Sequence, residues 1–249
     1  MSIERKGGRR SAWVLLAFSI PMLLILLALG TWQVQRLHWK EGLLARIDER
    51  LAAEPAPLDE MLGLYERGED IDYSPTVLSG TFLHDRERHY LATWKGQSGF
   101  FVHTPLRLSD GKYIFVNRGF VPYDRKDPAT RLQGQVGGET EIAGLARMAP
   151  AEKPSFLVPD NDLAKNIFYW KDLTAMARSA GLEQAEVYPF YVDANDAPNP
   201  GGLPVGGVTL IDLPNNHLQY AVTWYGLAFA LVCVLVAWFW RRNDDRGQA

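Results

Sequence analysis

Cysteine is almost absent from the 249-residue chain, which holds only Cys233. A lone thiol cannot form a disulfide within the chain, and it cannot supply the paired thiolates of a CxxC metal site. The sequence therefore excludes a disulfide-stabilised fold, copper carriage by paired thiolates and thiol–disulfide exchange.

An excess of positive charge is also missing. Lys and Arg number 26 against 29 Asp and Glu, for a formal net charge of −3. Residues 1–32 carry +3 and residues 241–249 carry +1, which leaves −7 on residues 33–240. Nucleic-acid binding needs clustered basic side chains to neutralise phosphates. The acidic middle therefore argues against a nucleic-acid partner.

The chain lacks the local motifs of common catalytic sites, with no GxSxG elbow, no P-loop and no HExxH motif. His84 and His89 are five residues apart, which fits neither one face of a helix nor one face of a strand, so we expect solvated turn histidines rather than metal ligands. His103 stands in an apolar segment and is expected to be packed. Because the carboxylates are scattered as well, the sequence predicts that the chain is not an enzyme.

Two long stretches carry no formal charge, residues 11–35 and the run between Asp212 and Arg241. Each is long enough to cross the hydrocarbon core of a bilayer as a helix. The first is too long for a signal-peptide core and is not followed by a clear cleavage site, so we interpret it as an uncleaved signal anchor. The two spans are expected to pack through small residues, namely Ala28 and Gly30 in the first and Gly226 and Ala230 in the second.

The basic residues beside these runs predict their orientation. Four basic residues precede the first run, Arg241 and Arg242 follow the second, and no Lys or Arg lies between Arg178 and Arg241. The positive-inside rule then places both termini in the cytoplasm. The predicted order is a cytoplasmic N-terminus at 1–10, a transmembrane helix at 11–35, a periplasmic β-rich domain at 36–214, a transmembrane helix at 215–240 and a cytoplasmic tail at 241–249.

The middle of the chain changes from a helical to a β pattern. Apolar residues at near-helical spacing predict that the first helix continues to about Ala53, and short alternating segments after Tyr73 predict antiparallel strands. The predicted strands cover 76–83, 89–93, 100–108, 112–121, 139–148, 187–192 and 208–213, with an Asp-Gly hairpin turn at 109–112 and a short helix from Asp172 to Arg178. The pattern indicates an α+β membrane protein whose periplasmic domain is a curled antiparallel sheet or a small barrel.

An imidazole stands at the start of the second span. Asn216 is placed to cap the helix, so that His217 falls in the first turn, and Tyr220 and Trp224 follow on the same side. Trp32 of the first span is expected at a similar depth. Such residues are typical of an aromatic interfacial anchor, and they also suit a ligand or cofactor site. The residues by themselves leave both interpretations open.

Arg118 differs from the other charged residues because it ends a strongly apolar segment, directly before Gly119. A guanidinium in this position suits a carboxylate ligand. A structural ion pair within the domain would explain the same residue.

Several short motifs form an ordered set along nearly the whole chain. They are Leu29-Gly30-Thr31-Trp32-Gln33 with Arg36 and Trp39-Lys40; Tyr73 with Gly80 and Phe82; Val116 to Pro122; Pro128 with Thr130-Arg131 and Gly134; Tyr169-Trp170 with Asp172-Leu173; Asp193-Ala194; and His217-Leu218-Gln219-Tyr220 with Thr223-Trp224-Tyr225-Gly226. With these motifs and its two spans, the chain resembles the surfeit locus protein family of cytochrome c oxidase assembly factors.

The resemblance implies an inner-membrane protein that helps to build the haem–copper oxidase, binding haem a and passing it towards the catalytic subunit. It makes His217 the expected iron ligand. A haem also needs apolar walls and donors for its propionates, which we assign to Tyr220, Trp224 and Trp32 and to Arg118.

The implied partners are the oxidase catalytic subunit, the haem a synthesis machinery and membrane lipid. Mitochondrial relatives carry a presequence, whereas ten residues precede the first span here, so we expect a bacterial inner membrane. Two alternatives remain: a scaffold that holds an oxidase intermediate without touching haem, and a membrane-surface enzyme acting on haem or quinone. The missing acid–base residues count against the enzyme.

Overall fold

The computed structural model describes the backbone of residues 5–209 and 214–247 and the side chains of residues 13–209 and 214–242. The chain forms two compact units. The first contains Met1–Arg46 and Asp212–Ala249, and the second contains Ile47–Ile211.

The first unit is a pair of long helices, α1 (Arg5–Leu51) and α4 (His217–Gly247). Both are long and apolar enough to cross a membrane, over Trp13–Leu51 and His217–Arg242. The predicted span 11–35 falls within α1, and the predicted span 215–240 begins two residues before α4, which starts directly after Asn216, as its capping position predicts. The continuation of the first helix beyond residue 35 is also confirmed, since α1 runs to Leu51.

Each of the two helices buries one stripe of residues that recur three, four or seven positions apart, which is the spacing of one helix face. The buried side chains of this stripe are Ser19, Leu26, Gly30 and Gln33 on α1 and Ala221 and Ala228 on α4. Gly30 lies in the contact as predicted. The prediction for Gly226 is wrong, because a Cβ built on Gly226 meets no atom within 4 Å and Ala230 is exposed. The seven-residue step from Ala221 to Ala228 turns Gly226 away from α1.

The second unit is a seven-stranded sheet with two short helices. Its strands are β1 (Ala56–Pro57), β2 (Ser74–Phe82), β3 (Arg88–Trp94), β4 (Gln97–Arg107), β5 (Tyr113–Pro122), β6 (Glu139–Met148) and β7 (Val187–Ala194). Its helices are α2 (Leu58–Glu66) and α3 (Leu173–Ser179). The predicted strands from 76–83 to 187–192 coincide with β2 to β7.

The sheet closes on itself. Its order is β1-β2-β6-β7-β5-β4-β3, and β2 pairs with β4 as well as with β6, so β2, β6, β7, β5 and β4 form a closed ring. At the closure Thr81 faces Arg107 and Phe82 faces Leu106. A Cβ on the neighbouring Gly80 would lie 2.4 Å from the carbonyl oxygen of Arg107, so only glycine allows this approach. The predicted small barrel is therefore confirmed.

Not every pair of strands is antiparallel, because β5 and β7 run parallel, as do β1 and β2. The chain returns from the end of β5 along β6, which is antiparallel to β7, so that β7 enters the sheet beside β5 in the same direction. Parallel strands need such a crossover connection.

Successive side chains of a strand point to opposite faces of the sheet, so the two faces of the central strands pack into different hydrophobic clusters. Ile114 and Val116 of β5 belong to a cluster that includes α2, whereas Phe115 belongs to a cluster built with α3. As predicted, Asp172 caps α3, accepting a hydrogen bond from Ala175 N at 2.9 Å.

The last predicted strand, 208–213, is not present in the described part: residues 208 and 209 are irregular, and 210–213 lie outside the described residues. The helix α2 was not predicted. Its nine residues follow Pro57, and its buried side chains are Leu58 and Met61.

Candidate functional site

His217 is the first residue of α4, and its imidazole is held by a side chain of α1. The ring Nδ1 lies 2.8 Å from Gln33 Oε1. Because an amide oxygen only accepts hydrogen bonds, Nδ1–H is the donor. Nδ1 therefore carries a hydrogen, and in the neutral form of the ring the lone pair lies on Nε2. Gln33 is itself buried, with 8% of its surface exposed, so its amide is held by the helix pair.

The predicted aromatic residues divide into two groups. Trp224 is partly buried and lies seven residues after His217, on the side of α4 that faces α1. Tyr220 and Trp32 are each 54% exposed within the described chain. His217 and Trp224 thus share one stripe, and Tyr220 and Trp32 present their rings outwards from the helix pair.

Tyr225 joins the two helices about two turns along α4 from the imidazole. Its ring lies on Gly30, where an added Cβ would stand 2.8 Å from Tyr225 Cε1. Its hydroxyl group is 3.1 Å from Thr31 Oγ1, which in turn donates to the carbonyl oxygen of Leu27 at 2.9 Å. Thr31 Oγ1–H is thus used on its own helix, and the hydroxyl group of Tyr225 donates to this oxygen. These contacts fix the height of α4 against α1 and so the position of His217 opposite Gln33.

Arg118 lies in the second unit, on β5, and is 3% exposed. Its guanidinium group donates to the carbonyl oxygen of Gly134, to Asn199 Oδ1 at 3.1 Å and to His84 Nδ1 at 3.3 Å. Burial lowers the pKa of Arg118 to about 10, which leaves the group charged at neutral pH. Its assignment to haem propionates stays a prediction.

The expectation that His84 and His89 are solvated is wrong. The side chain of His89 is 4% exposed and lies 3.0 Å from Glu87 Oε1, and Glu87 also binds Arg131. Burial alone would raise the pKa of Glu87, but the hydrogen bonds from His89 and Arg131 outweigh it and hold that pKa below its ordinary value. His84 is partly buried, with Nε2 2.9 Å from the carbonyl oxygen of Val136.

Both histidines are therefore parts of a hydrogen-bonded interior, which the sequence spacing alone did not indicate. Within the described residues, no group of three His, Cys, Asp or Glu side chains is placed to hold a metal ion.

The expectation that His103 is packed is confirmed. Its ring is fully buried on β4, with centroid distances of 5.5 Å to Tyr191 and 6.3 Å to Tyr90. Neither ring nitrogen has a hydrogen-bond partner among the described residues. Burial lowers the pKa of His103 to about 3, so the ring is neutral at physiological pH.

The sequence comparison identifies relatives over most of the chain. A family model described as the SURF1 family matches residues 21–229. Surfeit locus protein 1 of Homo sapiens is 37% identical over 254 residues, covering 94% of this chain and 78% of the human protein. The protein of the same name from Rattus norvegicus is 38% identical and covers 88% of this chain and 72% of its own. A SURF1-like protein of Monosiga brevicollis is 35% identical, covering 97% and 92%.

Proposed function

Because the chain belongs to the SURF1 family, we propose that it is an assembly factor for haem–copper cytochrome c oxidase, and that it binds haem a and aids its insertion into the catalytic subunit. Haem a is the cargo in this account. The resemblance of the chain to a family of oxidase assembly factors supports the assembly function, and the residues around His217 support the binding of haem.

The hydrogen bond between His217 Nδ1 and Gln33 Oε1 carries the proposal. A metal-bound histidine typically donates its second ring N–H to an oxygen acceptor, which orients the ring and makes the ligating nitrogen more basic. His217 already has this arrangement, and its Nε2 has the free lone pair that a haem iron requires.

The surroundings of His217 suit a haem that is later released. Trp224 offers an apolar wall on the same stripe, and the exposed rings of Tyr220 and Trp32 offer further apolar surface. His217 stands at the end of a helix rather than between two helices along their length. A single axial imidazole at such a position holds haem less firmly than two buried ligands, which suits transfer to a partner.

We further propose that the chain lies in a bacterial inner membrane with both termini in the cytoplasm and the β-barrel unit in the periplasm. The two apolar helices and the basic residues beyond them support this orientation. The oxidase catalytic subunit and the haem a synthesis machinery are the proposed partners, and the chain is proposed to act without catalysing a reaction.

A scaffold that holds an oxidase intermediate without binding haem is the second candidate. The face of α4 away from α1 favours it, since Val222, Phe229 and Val234 are exposed and open space adjoins Gly226. Such a face suits lipid and also a partner helix.

One purification separates the two candidates. The full chain is produced in cells that make haem a and in matched cells that make only haem b, and its absorption spectrum is recorded in mild detergent. The haem proposal predicts a Soret band and a haem a pyridine spectrum from the first cells. If the protein from both kinds of cell contains no haem and still supports normal oxidase assembly, the result favours the scaffold.

A further inference from the structure

Arg118 is a buried cation without a matching anion. The guanidinium group donates to one carbonyl oxygen, one amide oxygen and one imidazole nitrogen, all of them uncharged. His84 Nε2 lies 2.9 Å from the carbonyl oxygen of Val136, which only accepts, so His84 presents an unprotonated Nδ1 to Arg118. Across the described residues, no carboxylate oxygen comes within 4.0 Å of this guanidinium group.

The buried carboxylate of Glu87, whose charge raises the pKa of Arg118 against the effect of burial, is already paired. Glu87 forms an ion pair with Arg131 and also contacts His89. Burying a charge without a partner is strongly unfavourable, and proteins normally pair or ligate such groups. A structural arginine would therefore be expected to face a carboxylate, whereas Arg118 donates to three uncharged acceptors.

Arg118 also lines a cavity of about 290 Å³ within the second unit. Its walls are mostly apolar and belong to β2, β6, the end of β7 and the segment after it. They include Phe82, Ile142, Ala143, Ala194, Ala197 and Pro198. Phe82 covers the guanidinium group, with 4.8 Å between Arg118 Cζ and the ring centroid. Polar side chains, including those of Thr140 and Asn199, share the lining with Arg118.

We propose that this cavity binds one carboxylate group attached to an apolar body, with Arg118 as the carboxylate partner. The cavity joins a charged, hydrogen-bonding end to apolar walls, which is the usual composition of a small-molecule site. A planar guanidinium group matches a carboxylate in shape and charge. The exposed Glu141 also lines the cavity and would repel a second negative charge on the ligand, so a doubly charged phosphate is disfavoured.

The proposal goes beyond the haem function, because every residue of the cavity belongs to the second unit. The carboxylate has two chemical sources: a small free acid or a propionate arm of a haem. Both require the same recognition by Arg118, and the experiment separates them.

The test measures binding of 6,6,6-trifluorohexanoate to the full chain in an uncharged detergent by ¹⁹F NMR, with empty micelles as the blank. The matched neutral probe is 6,6,6-trifluorohexanamide. We expect saturable binding of the acid and at least about tenfold weaker binding of the amide, because a hydrogen bond to a charged group is stronger than one to a neutral group.

Two variants test the site in different ways. Arg118→Gln removes the charge and is expected to weaken acid binding at least about tenfold. Ala197→Leu leaves Arg118 in place and fills the cavity from an exposed loop position, so it tests the site even if Arg118→Gln does not fold. Glu141→Gln is the charge control, and it should leave acid binding unchanged or strengthen it.

Retained haem is measured on the same samples. A loss of acid binding with normal haem in Ala197→Leu identifies a free acid as the source, and a parallel loss of both identifies the propionate. His217→Ala should leave acid binding unchanged, so the two proposals fail separately. Equal binding of acid and amide, or unchanged acid binding in Ala197→Leu, would overturn the proposal.

Discussion

Replacing Gln33 by Leu removes the acceptor of the His217 Nδ1–H without changing the length of the side chain greatly. The structure gives one hydrogen bond of 2.8 Å between these residues, and Gln33 is buried. Loss of such an outer partner typically weakens metal binding about 10- to 100-fold, which corresponds to roughly 1.4 to 2.7 kcal/mol. We therefore expect Gln33→Leu to insert normally and to bind haem about 10- to 100-fold more weakly.

The assay is a titration of the haem-free full chain with haem a in mild detergent, followed at the Soret band. Gln35→Leu is the matched control, since it replaces the same side chain on the same helix at an exposed position. Gln33→Glu should retain haem, because a carboxylate also accepts from Nδ1–H. It should lower the reduction potential, because a more basic imidazole stabilises the ferric state.

Two results would refute this reasoning. If Gln33→Leu binds haem as tightly as the unaltered chain, the amide does not orient a ligand. If Gln35→Leu weakens haem binding to the same degree, the effect belongs to the helix surface and not to the His217 contact.

Three further predictions concern the helix pair, the barrel and the orientation. Gly30→Ala should displace the ring of Tyr225 and lower the free energy of unfolding in detergent by about 1 to 3 kcal/mol. Gly226→Ala, with open space around it, should leave this free energy unchanged. His103 is buried and neutral, with a pKa of about 3, so the free energy of unfolding falls as the pH drops below the ordinary histidine pKa of about 6.5. Urea unfolding should show that this group accounts for a loss of about 3 kcal/mol between pH 7 and about pH 4.5. His103→Leu should lack that part of the loss. Reporter fusions at the C-terminus and in the Gly201 loop should report opposite compartments, and a periplasmic signal from the C-terminus would contradict the orientation.

Local patterns were enough to predict most elements of the fold. The absence of charge indicated both long helices, and alternation with turn residues indicated β2 to β7. At the hairpin between β4 and β5, Gly111 has a φ of +86° and Asp110 accepts from Lys112 N at 2.9 Å, as the Asp-Gly sequence predicts. The parallel pairing of β5 with β7 was not predictable in this way, because it depends on the insertion of β7 between β6 and β5 in the sheet and not on residues of either strand.

The candidate site was predictable only in part. The position of His217 at the start of α4 follows from Asn216 and the apolar run, but its link to Gln33 joins residues 184 positions apart. A buried polar residue in an apolar helix was the available signal for Gln33, since such a group needs a partner. Tyr220 lies three residues after His217, as the prediction required. The buried stripe of α4 runs through Ala221, however, so the ring of Tyr220 points outwards from the helix pair.

The central claim is that His217 binds haem iron, and the most direct measurement is the haem content of His217→Ala purified from cells that make haem a. Alanine is well tolerated in a helix, so the protein should insert and fold, and His217→Leu separates loss of the ligand from loss of bulk. His38→Ala, at an exposed position of α1, controls for adventitious binding to histidine. We predict that both His217 variants lose the Soret band while His38→Ala keeps it. Undiminished haem with an unchanged Soret band in His217→Ala would contradict the account.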